Sequence, residues 1–217
     1  MVIDLNRCIG CHTCSVSCKA KYGVPADQGR AWVKRLGPAK TSEGISHTFY
    51  PGLCNQCGRP ECVDVCPVPP ISVQSTDLQS GRTVIQEAAA TWKDALTGIV
   101  LNDRDRCIGC GACVEACPYG ARYLNPVSGE NRKVDKCDFC IELLAQGIQP
   151  FCVETCIANA RIFGDLEDRT SEVARYIERG AVQLSSRQVN LNPNVFYYGR
   201  KKDIVLLQKT SIPQRKT

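Results

Sequence analysis

The sequence has few aromatic residues and no long apolar run. Phe, Trp and Tyr together make up 6% of the 217 residues, so we expect something other than a large aromatic core to hold the chain together. The longest apolar runs, such as residues 204–207, are far shorter than the roughly 20 residues that a transmembrane helix needs. We therefore predict no membrane span.

Export features are also lacking at the start of the chain. Residues 1–8 contain no apolar core segment, no twin arginine and no small-residue cleavage site. We therefore expect the chain to carry no export signal of its own. A protein made in the reducing cytoplasm holds metal on its cysteines more often than it forms disulfides.

Histidine, the commonest catalytic base, occurs only at His12 and His47. A catalytic subunit would present candidate bases, nucleophiles or an open metal position. His12 lies among closely spaced cysteines, and we expect it to stand beside a metal site or on the surface, not to act as a ligand. The sequence thus predicts a non-catalytic subunit without catalytic residues.

The net charge is modest, at +5, and the basic residues are scattered except near the C-terminus. We interpret that basic tail as a solvated terminus, with contact to an acidic partner surface as the alternative. Aromatic residues do not interleave with it as a nucleic-acid platform requires, so no nucleic-acid binding is predicted. The tail holds Arg200, Lys201, Lys202, Lys209, Arg215 and Lys216.

What the sequence has in abundance is cysteine, with sixteen residues that form an internal repeat of four groups of four. In every group the first two cysteines are separated by two residues, and the last two by three. Only the gap between the second and third varies. The groups are Cys8, Cys11, Cys14, Cys18; Cys54, Cys57, Cys62, Cys66; Cys107, Cys110, Cys113, Cys117; and Cys137, Cys140, Cys152, Cys156.

This spacing favours iron-sulfur clusters over zinc or disulfides. Structural zinc would use paired C-x2-C units and leave the third cysteines of the first and third groups without a role. The pattern also matches no small disulfide scaffold. The first and third groups instead have the C-x2-C-x2-C-x3-C spacing of bacterial ferredoxins, with Gly10 and Gly109 where backbone must approach the cluster. Sixteen thiolates predict four 4Fe-4S cubanes.

The segments around the groups suggest an α+β fold built from ferredoxin halves. We predict short strands at 2–5 and 98–101, a helix around the last cysteine of each of these groups, and short strands at 121–124 and 160–163. We also predict a helix at 86–96 after a turn at Ser80-Gly81, a helix at 168–179 that ends at Gly180, and a strand at 194–198 before a polar tail.

With these cysteine groups, the sequence resembles the four-cluster iron-sulfur beta subunit of the dimethyl sulfoxide reductase (molybdopterin oxidoreductase) family, of the polysulfide, thiosulfate or arsenate reductase type. The resemblance extends from Met1 to about Tyr198. It depends on the four spacings and on the adjoining segments 117–123, 136–140 and 163–166. The prolines of Cys66-Pro67-Val68-Pro69-Pro70 depart from the usual small-residue turn after the second group.

The resemblance implies nested pairing of the groups, first with fourth and second with third, in which the last cysteine of each group ligates its partner's cluster. Carried over, the ligand sets are Cys8, Cys11, Cys14 and Cys156 for cluster 1; Cys18, Cys137, Cys140 and Cys152 for cluster 2; Cys54, Cys57, Cys62 and Cys117 for cluster 3; and Cys66, Cys107, Cys110 and Cys113 for cluster 4.

Two nested ferredoxin-like domains follow from that pairing. The outer domain comprises 1–53 and 125–166, and the inner domain comprises 54–124 with an inserted segment at about 72–100. A C-terminal extension occupies 167–217.

The resemblance further implies an electron-transfer subunit that connects a large molybdopterin catalytic subunit with a quinone-linked membrane subunit or other carrier, in an anaerobic respiratory oxidoreductase. Molybdopterin is expected only in the partner. Export with a signal-bearing partner implies a periplasmic location, with the cytoplasm as the alternative. A free polyferredoxin shuttle is the alternative function, and a cluster-bearing part of a hydrogenase or formate dehydrogenase complex is a third.

Overall fold

A computed structural model describes residues 1–126, 132–185 and 190–210 of the chain. They form short strands and helices, most of them separated by loops that carry the cysteines. The strands are β1 (Val2–Asp4), β2 (Ala31–Thr41), β3 (Gly44–Leu53), β4 (Ile71–Thr76), β5 (Thr83–Ala88), β6 (Thr91–Lys93), β7 (Val100–Asn102), β8 (Arg122–Asn125), β9 (Lys133–Lys136), β10 (Arg161–Ile162), β11 (Val182–Gln183) and β12 (Phe196–Tyr198). The helices are α1 (Thr13–Tyr22), α2 (Glu61–Asp64), α3 (Ala112–Glu115), α4 (Ile141–Leu144), α5 (Phe151–Glu154), α6 (Glu172–Glu178) and α7 (Lys201–Thr210).

The largest sheet joins the start of the chain to segments that follow the fourth cysteine group. Its strand order is β10-β1-β12-β11. The strand β1 pairs antiparallel with β10 and parallel with β12. The strands predicted at 2–5, 160–163 and 194–198 are therefore present, each somewhat shorter than predicted. Helix α1 packs against α5, so a second contact connects the first and fourth groups.

Four two-stranded hairpins make up the remaining sheets of the described residues: β2–β3, β4–β5, β6–β7 and β8–β9. The strands predicted at 98–101 and 121–124 are confirmed as β7 and β8. Helices α2 and α3 pack against each other and bring the second and third groups together. The architecture is mixed α and β with small sheets, and it is compatible with ferredoxin-like 4Fe-4S domains.

The helix predicted at 86–96 is wrong, because this segment contains the end of β5, the strand β6 and a turn. The three alanines at 88–90 are too few to offset the cost of helix nucleation. The Gln86 amide instead donates to the Lys93 carbonyl (3.0 Å) and accepts from the Ala95 backbone N–H (2.6 Å). The Asp94 carboxylate accepts from the Thr97 backbone N–H (2.8 Å), which closes the turn.

The helix predicted at 168–179 begins later, at Glu172, as α6. The Asp168 carboxylate accepts hydrogen bonds from the backbone N–H and the hydroxyl of Thr170, and these hold a turn before the helix. The Ser171 hydroxyl then caps the helix by accepting from the Ala174 N–H at 3.2 Å. The helix ends before Gly180, whose φ of 94° is the left-handed conformation that suits a helix end.

The basic tail is not a solvated terminus over its described part, because residues 201–210 form helix α7, which packs on β2 and β3. Leu206 and Leu207 are buried against the hairpin. The Asp203 carboxylate is buried as well and accepts from the Ser46 hydroxyl (2.5 Å) and from Arg200 Nε (2.7 Å). The apolar run at 204–207 is too short to span a membrane, but it is long enough to cover a hairpin. Arg215 and Lys216 lie outside the described residues.

Within the described ranges, no helix has the length and apolar character that crossing a bilayer requires.

Cysteines form a large part of the core that these elements enclose. The main buried cluster combines Cys14, Cys18, Cys54, Cys137 and Cys152 with aliphatic residues and a few aromatic rings. Its rings include Tyr50 and Tyr197, whose centroids are 5.8 Å apart. The interior is thus built around thiols, which agrees with the low aromatic content.

A buried ion pair fixes the chain just before the fourth cysteine group. Arg30 Nη2 donates to Asp135 Oδ1 at 2.7 Å, and both side chains are almost fully buried. The Tyr123 hydroxyl donates to the other carboxylate oxygen at 2.6 Å, and Arg104 Nη2 forms an ion pair with that oxygen at 2.6 Å. Because three side chains share the carboxylate, this pair connects the start of β2 with β8, β9 and the loop after β7.

We predict that Leu207→Ala lowers the free energy of unfolding by about 3 kcal/mol, because it removes a fully buried side chain and leaves a cavity under α7. Chemical denaturation followed by circular dichroism measures the loss. The exposed Lys209→Ala, on the same helix, is the matched control and should change the value by less than about 0.5 kcal/mol. Equal effects of the two substitutions would contradict the packing of α7 on the hairpin.

Candidate functional site

In each group, the third cysteine lies on a helix, and the fourth lies on the same helix or just after it. In the first group, Cys14 and Cys18 lie four residues apart on one buried face of α1. In the other groups, the third cysteine lies on α2, α3 or α5, and the fourth follows that helix directly: Cys62 and Cys66, Cys113 and Cys117, Cys152 and Cys156. Cys18 lines a different cavity from the first three cysteines of its group, and so does Cys156.

Two glycines shape the loops of the first and third groups. Gly10 and Gly109 have φ values of 69° and 70°, a left-handed conformation that strains other residues. A Cβ on Gly10 would lie 2.3 Å from the Phe49 ring, and one on Gly109 would lie 2.2 Å from the Arg132 carbonyl oxygen. A side chain at either position would therefore clash with neighbouring protein atoms. This close packing requires glycine there, in addition to the expected approach of the backbone to a cluster.

The first set of cysteines lines a cavity beside β1. Cys8, Cys11, Cys14 and Cys156 surround about 370 Å³ of space that protein atoms do not fill, part of it open to solvent. Burial, and then the neighbouring thiols of Cys14 and Cys156, raises the pKa of Cys8. Cys11 is exposed, and its hydrogen bond with the Thr13 hydroxyl lowers its pKa.

A second cavity lies at Cys18, about one turn of α1 beyond Cys14. Cys18, Cys137, Cys140 and Cys152 surround about 340 Å³ of unfilled space, together with Tyr22 and Arg30. The Arg30 guanidinium stacks 4.1 Å from the centroid of the Tyr22 ring and so forms part of the wall. Burial, followed by the charges of nearby thiols such as Cys152, raises the pKa of Cys18 to about 12.

The third set gathers between β3 and the helices α2 and α3. Burial raises the pKa of Cys57, and the thiols of Cys54, Cys117 and Cys62 add to the effect because they lie close by. Burial likewise raises the pKa of Cys62 to about 11, although Arg122 and Lys136 oppose the change. These four thiols are mutual neighbours.

The fourth set forms around the loop that begins at Cys107. Burial raises the pKa of Cys113, and the nearby thiols of Cys107 and Cys110 contribute. Cys66 packs against the buried cluster that contains Cys107 and Cys113. Cys110 is exposed, as Cys11 is in the first set.

The chemistry of these sets is suited to polynuclear iron-sulfur groups. None of the sixteen cysteines forms a disulfide. Among the residues that the structure describes, no three His, Cys, Asp or Glu side chains converge on a point that would hold a single metal ion. Thiols with a raised pKa are protonated at neutral pH, but coordination to iron deprotonates a thiol outright. The residues therefore fit four thiolate-bound clusters.

Besides Arg30, three buried cations lie among the thiols, and sequence reasoning missed them. Arg161 lies close to Cys152, Arg122 close to Cys62 and Cys113, and Lys136 close to Cys62. Some of the guanidinium donors have no partner within the described residues, namely Nε and Nη1 of Arg122 and Nη2 of Arg161. Unpartnered buried donors beside thiols also fit an anionic cluster.

A sequence signal for two of these cations was present. Arg122 and Arg161 each follow an alanine at the same spacing after the last cysteine of their groups, and each begins a strand. Strand propensity alone does not single them out. Of the two histidines, His12 is exposed and lines the first cavity, and His47 accepts a hydrogen bond from Arg35 Nε at 2.8 Å.

Comparison with protein families identifies two matches. The family described as 4Fe-4S dicluster domain matches residues 45–166, and the one described as 4Fe-4S binding domain matches residues 5–23. Together they cover all four cysteine groups.

Curated relatives align over most of the chain. The B subunit of tetrathionate reductase from Salmonella typhimurium is 38% identical over 202 residues, which are 92% of this chain and 71% of the relative. The thiosulfate reductase electron transfer subunit of Salmonella typhi is 36% identical over 93% of this chain and 92% of its own length. The B chain of polysulfide reductase from Wolinella succinogenes is 32% identical over 93% and 94%. The protein belongs to the family of 4Fe-4S electron-transfer subunits that serve reductases of the dimethyl sulfoxide reductase family.

Proposed function

We propose that this chain relays electrons between a large molybdopterin catalytic subunit and a second redox partner, either a quinone-linked membrane subunit or another carrier, in an anaerobic respiratory oxidoreductase. The single observation that carries the proposal is that all sixteen cysteines, which form four groups of four in the sequence, are free of disulfides, and many of them lie in one another's neighbourhood. Bound 4Fe-4S clusters supply one-electron transfer at potentials that the protein tunes.

The ligand sets we propose are those of the family resemblance, and the two cavities and the proximity of the thiols support them. They are Cys8, Cys11, Cys14, Cys156; Cys18, Cys137, Cys140, Cys152; Cys54, Cys57, Cys62, Cys117; and Cys66, Cys107, Cys110, Cys113. In each set the fourth ligand comes from the partner group.

Neighbouring sets lie close together, which supports a relay. One buried cluster contains Cys14 of the first set, Cys137 and Cys152 of the second and Cys54 of the third. Cys62 of the third set packs against the buried cluster that contains Cys107 and Cys113 of the fourth. We therefore propose that electrons pass the sets in the order first, second, third and fourth.

The exposed thiols mark the two ends of this series. Cys11 and Cys110 are exposed, whereas the second set is largely buried. Ile9 and Ile108, in the corresponding loops, are exposed apolar residues beside them. We propose that electrons enter and leave at these two loops, where a partner would exclude water from both.

The domain plan we propose remains the nested one, with outer parts 1–53 and 125–166 around an inner part 54–124, and an extension at 167–217. Contacts of β1 with β10 and of α1 with α5 support the outer pairing, and contact of α2 with α3 supports the inner one. For location we propose the periplasm, by export with a signal-bearing catalytic partner, and the cytoplasm if that partner has no signal.

Metal analysis tests the cofactor assignment. We expect about sixteen iron and about sixteen acid-labile sulfide atoms per anaerobically purified chain, because each cubane holds four of each. Inductively coupled plasma mass spectrometry and sulfide release measure both. Zinc in place of iron would refute the proposal.

Ligand substitutions test the crossing of the fourth cysteine. We expect Cys156→Ser and Cys8→Ser to perturb the same cluster in electron paramagnetic resonance spectra, because both thiols line the cavity beside β1. Cys152→Ser, the matched substitution four positions earlier in the chain, should perturb a different cluster. If Cys156→Ser behaves like Cys152→Ser, each group keeps its own cluster and the nested pairing is wrong.

Purification from the native source tests the partner assignment. We expect the chain to co-elute from size exclusion with a much larger subunit that contains molybdenum or tungsten. Metal content and mass spectrometry of the eluted complex identify it. Elution as a lone monomer that retains all its clusters would indicate a free polyferredoxin shuttle instead.

A further inference from the structure

Arg161 is a buried cation between the first and second cysteine sets. It begins β10, opposite Ile3 of β1, and only 4% of it is exposed. Its Nη1 donates to Cys152 Sγ at 3.7 Å, and its side chain lines the cavity that Cys8, Cys11, Cys14 and Cys156 surround. One guanidinium therefore faces thiols of two proposed clusters.

Arg122 has the corresponding position between the third and fourth sets. It begins β8 and is 3% exposed, and its Nη2 donates to the Thr91 hydroxyl at 2.8 Å. Helix α3, which carries Cys113 of the fourth set, packs against β8, and Cys62 of the third set packs against the buried cluster that contains Cys113. The charges of both thiols interact with this guanidinium. Arg122 thus also lies among thiols of two proposed clusters.

Among the residues that the structure describes, no ion pair between Arg122 or Arg161 and a carboxylate is present. Arg30, in contrast, is buried against Asp135 and Asp138. Lys136 differs as well, because its ammonium donates to the carbonyls of Val100 and Cys137. A buried charge without a partner is costly, so an anion is needed beside each of these two arginines.

We propose that Arg161 and Arg122 each compensate the negative charge of the two clusters that flank them. Each arginine thereby raises the reduction potentials of those two clusters. The inference rests on the proposed ligand sets. Reduction adds a negative charge to a buried cluster, and a fixed cation nearby in a medium of low dielectric constant favours the reduced state. The two arginines therefore keep the paired clusters more easily reduced.

Potentiometric titration followed by electron paramagnetic resonance tests this on the complete complex of chain and catalytic partner. We expect Arg161→Gln to lower the potentials of the first and second clusters and leave the third and fourth unchanged. Arg122→Gln should do the reverse. The expected size is at least a tenfold fall in the ratio of reduced to oxidised cluster at a given potential, which is about 59 mV for a one-electron couple.

Two further variants separate charge from shape and from surface effects. Arg161→Lys and Arg122→Lys keep the charge and should keep the potentials within that margin. Arg179→Gln removes an exposed charge at the end of α6 and should shift no cluster. If a glutamine variant binds less iron, the lysine variant at the same position is compared with it. A full iron content in the lysine variant would support the need for the positive charge. The same loss of iron in both variants would overturn the inference.

Failure of this inference differs from failure of the proposed function. Glutamine variants with all their iron and unchanged potentials would overturn the role of the arginines and leave the four-cluster relay intact. Lysine variants whose potentials fall as far as those of the glutamine variants would overturn it too. Wild-type complex without the full iron content would instead refute the relay itself.

Discussion

Most of this structure depends on one constraint, the placement of sixteen thiols around 4Fe-4S clusters within a small protein. In the ligand sets that we propose, one loop supplies only part of each set, and the last thiol comes from beside a short helix of another group. Cys14 and Cys18 show this most plainly, because they lie four positions apart on α1 and line different cavities. About 6 Å of rise along the helix is enough to link one site to the next. The spacing of the cysteines is thus also the spacing of the proposed relay.

The negative charge of bound clusters is the second constraint on the interior of this protein. Iron-bound thiolates concentrate negative charge where water is excluded, and the described residues place four cations among them: Arg30, Arg122, Lys136 and Arg161. Arg30 differs from the two other arginines because Asp135 and Asp138 already pair with it. Burial raises the pKa values of the thiols, so the thiols are protonated when no cluster is bound. Cluster binding and proton release are therefore coupled in this chain.

The hairpins and terminal elements enclose the sites and contribute few ligands. The hairpin β2–β3 covers the first two cavities with Val33, Ala31 and Leu53, and α7 covers that hairpin in turn. The segment between the second and third groups folds into hairpins of its own, and Asp94 closes the turn of one of them. No cysteine lies between Cys66 and Cys107, so these hairpins enclose the sites without supplying a thiol.

The sequence by itself determined the number of ligands, their grouping, the strands beside them and the family, because thiol chemistry requires particular residues at short, countable intervals. It did not determine the conformation of 86–96 or 201–210, where local propensity was weak and contacts with distant strands decided the outcome. Nor did it reveal that Arg122 and Arg161 lie between sets of thiols. Such proximity joins residues far apart in the chain, and only the tertiary structure, through pairings such as that of Ile3 with Arg161, brings them together.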